Sequence, residues 1–407
     1  MALLLWIWTG LAAVWWLIAY ALVARSSRFA HVTGVAPSSP IDAPEDRRRL
    51  TVFKPLASPM GERELQRLRG CLASFAAELD EDSEMLIGCH ERDEDRIRAL
   101  VDDLGRAQPS AELKLVSHAR PRSFHANPKV SWMRILTPHA TGELWLWSDS
   151  DMTAPAGLLR SLRCDLAASE TGLLTSAYRV SEVSRPPELL DALYVNLEFY
   201  PGVMLLARAD QIRFGFGSLM LFAAEDFRQR VDWDYLGSCL AEDFHLGRLL
   251  SPVRLSSARL TTLPASESWG GALRHYLRWQ KTVAWCRPGP YAAQILVLPV
   301  VGWTLALLLS PPTAFPGLLA GLLSGLLAVL AIDTVAAWAI CRALGCRLGP
   351  KLLAAVPVWS LARGAAWVAC WLPLPVTWRD QRWWGPYRSL DARQKLLESG
   401  SQPGLDG

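Results

Sequence analysis

The sequence is poor in the features that mark many compact metal-binding or nucleic-acid-binding chains. Its 8 cysteines never form a C-x-x-C pair. Cys71, Cys89, Cys164, Cys239, Cys286, Cys341, Cys346 and Cys370 therefore read as single buried thiols in a reducing compartment, not as a disulfide frame or a zinc site. The 7 histidines are scattered without H-E-x-x-H spacing, which removes the helical zinc hydrolases built on that motif. No internal repeat and no low-complexity tract is present, so a solenoid is excluded. Charge is sparse, at 20% of residues with a net +3, and no nucleic-acid partner is expected. Between Ala2 and Ala24 no side chain is charged, over about the length that crosses a bilayer. Ala19-Tyr20-Ala21 has the small residues of a signal-peptide cleavage site, but the apolar core is too long and no basic residue precedes it. An anchor is the expectation. Arg25 and Arg28 follow it, and the positive-inside rule then puts the N-terminus outside and the rest of the chain in the cytoplasm.

What is abundant is apolar. Hydrophobic residues make up 51% of the 407, with 19 tryptophans. That mixture is too polar for a polytopic channel and too apolar for a purely soluble enzyme, so one large domain plus a membrane part is expected. After a polar linker over 26–49, short apolar stretches at 50–53, 85–89, 113–116, 144–147 and 172–176 read as strands. Amphipathic helices run through Leu65, Leu68, Leu72 and Phe75, and through Ile97, Leu100 and Leu104. This alternation predicts an α/β domain with a parallel sheet and helices on both faces. A helix is expected over about 187–199, a strand over 203–207, and a helix opening near Leu240. The segment from Phe214 to Phe222 is glycine-rich, then apolar. Gly217 could bring backbone close to a substrate, and a tight turn before a core strand explains it equally well.

The stretch Leu144-Trp145-Leu146-Trp147-Ser148-Asp149-Ser150-Asp151 organises the domain. Four apolar residues predict a buried strand, and the chain then breaks into two carboxylates one residue apart. In an open α/β sheet, ligands bind beyond such strand ends. A D-x-D loop can hold one hard divalent cation through oxygen, and the cation can hold a diphosphate. A strand end followed by a helix cap at Asp151 or Thr153 would look the same.

Toward the C-terminus, 269–285 is a basic amphipathic helix of the kind that lies in a membrane interface. Clear spans are expected over 291–309 and 315–340, separated by Ser310-Pro311-Pro312. Asp333 falls inside the second and should face protein or a polar cavity. Arg342, Arg347 and Lys351 return the chain to the cytoplasm. The segment 351–374 is broken by Pro357, Arg363 and Pro373 and precedes Arg379, Arg382 and Arg388, so an in-plane or re-entrant course is expected.

Taken in order, Asp149-x-Asp151, Ala241-Glu242-Asp243-Phe244 and His275-Tyr276-Leu277-Arg278-Trp279 make the chain resemble family 2 glycosyltransferases. More narrowly, it resembles ceramide glucosyltransferase and its bacterial relatives, including the hopanoid-associated branch. Lys54-Pro55-Leu56, Asn127-Pro128-Lys129-Val130, Thr377-Trp378-Arg379 and Tyr387-Arg388 also match, so the likeness runs from about Val52 to Arg388. The resemblance implies a nucleotide-sugar-binding, Rossmann-like mixed sheet of the GT-A type over 50–265. It implies an anchor over 1–25, an interface helix over 266–290, a membrane hairpin and interfacial segment over 291–376 and a cytoplasmic tail over 377–407.

The resemblance also implies roles. Asp93, with Glu91 as competitor, would position the uridine of a UDP-sugar donor. Lys129 would lie near the nucleotide, and Asp149 and Asp151 would hold Mg2+ or Mn2+. Asp243 would be the catalytic base, and Arg278 and Trp279 would close on diphosphate and acceptor. His275 stands where Gln or Arg is usual, nearer the bacterial branch, and with Gly217 falls on the acceptor side. The activity implied is inverting transfer of a hexose to a membrane-lipid hydroxyl in sphingolipid or hopanoid metabolism. A processive polysaccharide synthase would share the motifs but should carry more spans, and a non-catalytic membrane scaffold is the structural alternative.

Overall fold

The computed structural model describes residues 2–31, 44–57, 61–119, 125–264, 266–310, 316–346, 349–378 and 381–387. Pro311, Pro312, Arg347, Arg379 and Arg388 lie outside the described residues, as do 32–43 of the linker and everything beyond Tyr387. The chain divides into two units. One comprises residues 29–179, 206–265 and 385–407, the other 1–28, 180–205 and 266–384. Residues 180–205, which the sequence reading kept within 50–265, thus group with the apolar helices.

The first unit is built on a seven-stranded sheet. Its strands are β1 (Leu50–Pro55), β2 (Ser83–His90), β3 (Glu112–His118), β4 (Leu144–Trp147), β5 (Leu173–Thr175), β6 (Met220–Ala223) and β7 (Val253–Leu255). Their order is β3-β2-β1-β4-β6-β5-β7. β1 pairs in parallel with β2 and β4, and β2 with β3, as the strand–helix alternation implied. β6 runs antiparallel between β4 and β5, so the sheet is mixed. The chain leaves this unit between β5 and β6, and β6 is therefore not joined by the right-handed crossover that a parallel neighbour requires.

β4 shows why the sequence folds this way. All four of its residues are buried, as expected for an unbroken apolar run in mid-sheet. Side chains alternate along a strand. Trp145 and Trp147 share one face with Phe53, which lies 5.5 Å from Trp145, and Phe222, which lies 5.3 Å from Trp147. Leu144 and Leu146 enter the opposite core with Leu50, Val52, Met85 and Ile87. The helix Glu94–Ala107 buries Ile97, Leu100, Val101 and Leu104 at helical spacing.

The second unit is helical. Ala2–Ser26, Glu188–Arg208 and Pro316–Ala343 are each long and apolar enough to cross a membrane. The middle one corrects the sequence reading, which ended a helix near Phe199 and placed a strand at 203–207. Pro201-Gly202 does not end the helix. Instead Tyr194–Phe199 widens into a π-helical turn and the helix continues over Tyr200–Arg208. A proline ring crowds the carbonyl four residues back, here that of Leu197, and widening the turn relieves the clash.

The expected span 291–309 is also corrected: Pro288–Val297 and Pro299–Leu309 meet at 67°. Pro299 lacks the N–H that a continuous helix would use. Val356–Ala369 has 14 residues, short of the about 20 that cross a bilayer. Trp303 packs over Gly325, where a Cβ would stand 2.3 Å from the indole. The small residue lets the two helices approach. Asp333 does face protein, accepting from Trp16 Nε1 at 2.8 Å and from the Ser360 hydroxyl. Arg363, expected to break the segment 351–374, is buried in protein: its Nε is 3.9 Å from Glu198 Oε1 and its guanidinium lies against Trp16 and Trp359. A carboxylate and two ring faces take the place of lipid around it.

Candidate active site

The strand order turns at β1, with β2 and β3 on one side and β4 on the other, and open sheets bind ligands at such a point. Lys54 sits near the end of β1. Its buried Nζ donates to Ser148 Oγ at 3.0 Å and to the Asp149 carbonyl at 2.9 Å, and lies 3.4 Å over the Phe75 ring. Burial brings this lysine down to about 7. It ties the backbone of the D-x-D loop to the neighbouring strand. Ser148 Oγ donates in turn to the Ser218 carbonyl at 2.8 Å.

Lys129 comes from the first turn of the helix Pro128–Leu136. Asn127 caps that helix, its Oδ1 accepting from the N–H groups of Lys129 at 2.9 Å and Val130 at 3.2 Å. Its amide nitrogen donates to Glu242 Oε2 at 2.9 Å and to the Cys239 carbonyl at 3.0 Å. So fixed, Lys129 Nζ stands 2.6 Å from Asp149 Oδ1 and 3.1 Å from Glu242 Oε1, and donates to the Gly217 carbonyl at 3.2 Å. Burial alone would lower the lysine, but the Asp149 and Glu242 charges outweigh it and hold it above its ordinary range.

The Gly217 N–H donates to Asp243 Oδ2 at 2.8 Å, and the Phe244 N–H donates to Oδ1 at 2.8 Å. Gly217 is in fact a shared wall. A Cβ there would stand 3.0 Å from Lys129 Nζ, 3.2 Å from Asp149 Oδ2 and 3.4 Å from Asp243 Oδ2. Burial, then the neighbouring Glu242, pushes Asp243 up to about 6, against the pull of Lys129 and the two N–H donors. Asp151 accepts from Thr262 Oγ1 at 3.3 Å. Its carboxyl is raised by desolvation and by the charge of Asp149.

The loop fits a divalent cation by its donor chemistry. Asp149 and Asp151 offer carboxylate oxygens only, and their mutual repulsion is what a bound cation would remove. Among the described residues no group of three His, Cys, Asp or Glu forms a closed metal set.

Other expected residues are carried by other elements. Asp93 is buried and Glu91 exposed, both in the turn Glu91–Asp93 that follows β2. His275, Arg278 and Trp279 lie in the second unit, on the helix Trp269–Cys286. Arg278 packs over the Trp378 ring at 5.6 Å, and Trp279 stacks on Tyr194 at 4.6 Å. Burial, then Arg278, lowers His275 against a hydrogen bond with Asp191.

The sequence matches the model of Glycosyl transferase family 21 over residues 13–384. The chain belongs to that family. It is the ceramide glucosyltransferase family, so the narrower of the two resemblances is the one that holds. Among curated proteins no significant match is found.

Solved structures similar to this family 21 chain include a mannosyltransferase from Pyrobaculum calidifontis in complex with GDP-Man and Mn2+. It is 17% identical, over 90% of this chain and 97% of that one, with a TM-score of 0.45. GalNAc-T7 with UDP, GalNAc and Mn2+ is 11% identical, over 68% and 54%, with a TM-score of 0.40. S. aureus TarS 1-349 is 11% identical, over 84% and 99%, with a TM-score of 0.35.

The family 21 chain is thus a membrane-associated glycosyltransferase. Sequence reasoning overlooked two of its polar side chains. Glu242 stood beside Asp243 in the quoted motif, and its partner Lys129 could have exposed it. Asp191 had one signal, a carboxylate that recurs seven residues later as Glu198 in a helix long and apolar enough to cross a membrane.

Proposed function

We propose that this chain moves a hexose from a UDP-sugar to a hydroxyl of a membrane lipid, with inversion, on the cytoplasmic side of the membrane. The observation that carries the reading is the convergence of Lys129, Asp149, Gly217 and Asp243 beyond the end of β4, with Asp243 near 6. A base of that strength is mostly ionised at neutral pH and still takes a proton readily. Asp243 would accept the proton of the acceptor hydroxyl as its oxygen attacks the anomeric carbon. With Asp243 acting as a base toward the acceptor hydroxyl, a single displacement turns an α-linked donor into a β-linked product.

Asp149 and Asp151 would hold Mg2+ or Mn2+, which supplies charge neutralisation for a departing diphosphate. Lys129 fixes Asp149 and adds positive charge beside it. Asp93, buried beyond β2, is the better of the two candidates for the uridine, because a buried carboxylate is held in one direction and Glu91 is not. The apolar helices would keep the domain at the surface where a lipid hydroxyl is found, in sphingolipid or hopanoid synthesis.

The test is to incubate membranes containing the full chain with radiolabelled UDP-sugars and a lipid extract. Label in the organic phase as a β-glycolipid is expected. Label in an insoluble polymer would indicate a polysaccharide synthase, and no product with any donor a scaffold.

A further inference from the structure

The helix Trp269–Cys286 is tied to the helix Glu188–Arg208 by two carboxylates, Asp191 and Glu198, spaced two turns apart. Glu198 accepts from the Tyr276 hydroxyl at 2.9 Å and from Gln280 Nε2 at 2.6 Å. Those two bonds already fix the register of the pair. Asp191 is aimed elsewhere. Its Oδ2 accepts from the Ser266 hydroxyl at 2.8 Å, and its Oδ1 lies 3.2 Å from His275 Nδ1.

A charge in so apolar a helix is costly and usually has a use. The Asp191 side chain is 4% exposed and that of His275 34%, so the Nδ1 edge of the ring is covered while part of the imidazole stays open. The ring is also held from its face. Trp279 lies 3.8 Å from it, centroid to centroid, and is itself stacked on Tyr194 at 4.6 Å. Among the described residues, none makes a hydrogen bond to Nε2. A carboxylate at one ring nitrogen decides what the other can do. With the proton drawn to Nδ1, Nε2 carries a free lone pair.

We propose that Asp191 is a positioning residue that holds His275 with its proton on Nδ1, so that Nε2 accepts a hydrogen bond from a hydroxyl of the lipid acceptor. This rests on the reading above that a lipid hydroxyl is the acceptor. A protonated imidazole would instead suit a diphosphate. Asp191 favours that charged form, but burial, helped by Arg278, outweighs it, which leaves the hydroxyl as the better match.

The experiment combines Asp191→Asn and His275→Gln, singly and together, in the full chain in membranes. Asp191→Asn should lower kcat/KM for the lipid by on the order of 10–100-fold, as loss of an orienting partner does, with UDP affinity unchanged. In the His275→Gln background it should add no further loss. Losses that multiply in the double variant would make Asp191 a structural residue and overturn the proposal, as would an equal loss of UDP affinity. Nitrogen NMR of the histidine-labelled wild-type protein is the second readout, independent of whether the variants fold. A bare Nε2 is expected, and a protonated Nε2 would overturn the proposal. Wild-type protein that labels no lipid at all would sink the proposed function and this inference with it. That outcome is distinguishable because the wild type itself is then silent.

Discussion

The ammonium of Lys129 lies 2.6 Å from Oδ1 of Asp149, with one side chain leaving the first turn of a helix and the other a strand end. Glu242 closes the group at 3.1 Å from the same nitrogen. The lysine side chain is only 11% exposed, so little water reaches it. Removing one member of a fully buried ion pair costs about 3–5 kcal/mol, and because the Asp149 side chain is 37% exposed and partly screened, a loss of about 1–3 kcal/mol is expected here. Lys129→Met should lower the thermal unfolding midpoint of the detergent-solubilised protein accordingly. A change of under about 1 kcal/mol would place the lysine among weakly coupled surface ions instead.

Gly217 offers a sharper test of the site's shape. Its added Cβ would meet three functional groups at 3.0–3.4 Å, so a methyl must displace at least one of them. Gly217→Ala should leave the unfolding midpoint nearly unchanged while turnover falls by up to about 10-fold, since the neighbours must give by a few tenths of an ångström where a shift of about 1 Å costs about 100-fold. Wild-type turnover would show that the cluster has room to spare.

Metal dependence should follow Asp149. UDP binding to the wild type is expected to strengthen when Mn2+ or Mg2+ is added and to weaken on chelation, because a hard cation bridges carboxylate and diphosphate oxygens. Asp149→Ala should abolish that difference. An unchanged metal effect in the variant would move the cation elsewhere.

Activity should rise with pH through about 6. Asp243 works only as a carboxylate, and burial with Glu242 has moved it up to about 6. Below that value the base is protonated and kcat/KM should fall about tenfold per pH unit; above it the rate should level off. A profile flat down to about pH 4.5 would mean that Asp243 keeps an ordinary acidity and that the neighbouring charges are compensated.

Much of the first unit was legible because its signals are local. β4 is an unbroken apolar run and the helix Glu94–Ala107 has a clean stripe, so strand, helix and loop fall where periodicity puts them. That the sheet is mixed came only from the resemblance; side-chain spacing could not show that β6 is the antiparallel strand, because strand direction depends on the path of the chain. The helix Glu188–Arg208 was hidden by Pro201-Gly202, whose break is absorbed by a π-helical turn that no short-range pattern announces. Arg363 misled for a related reason. Its partner Glu198 is far away in sequence, so the charge was judged against lipid and not against a carboxylate. In the site, Asp149, Asp151 and Asp243 could be read from spacing and resemblance. Lys129 was named through the resemblance, but its pairing with Glu242, the tie of Lys54 to the loop, and the carboxylate behind His275 became visible only once the elements carrying them were placed.

The central claim is that Asp243 removes the proton from a lipid hydroxyl, and Asp243→Asn tests it most directly. The substitution keeps the size of the side chain and removes the proton acceptor. Transfer of label from UDP-sugar to extractable lipid should fall by about 10²–10⁴-fold, the usual contribution of a general base, while the affinity for UDP stays at the wild-type value. Label appearing in lipid at the wild-type rate would contradict the account.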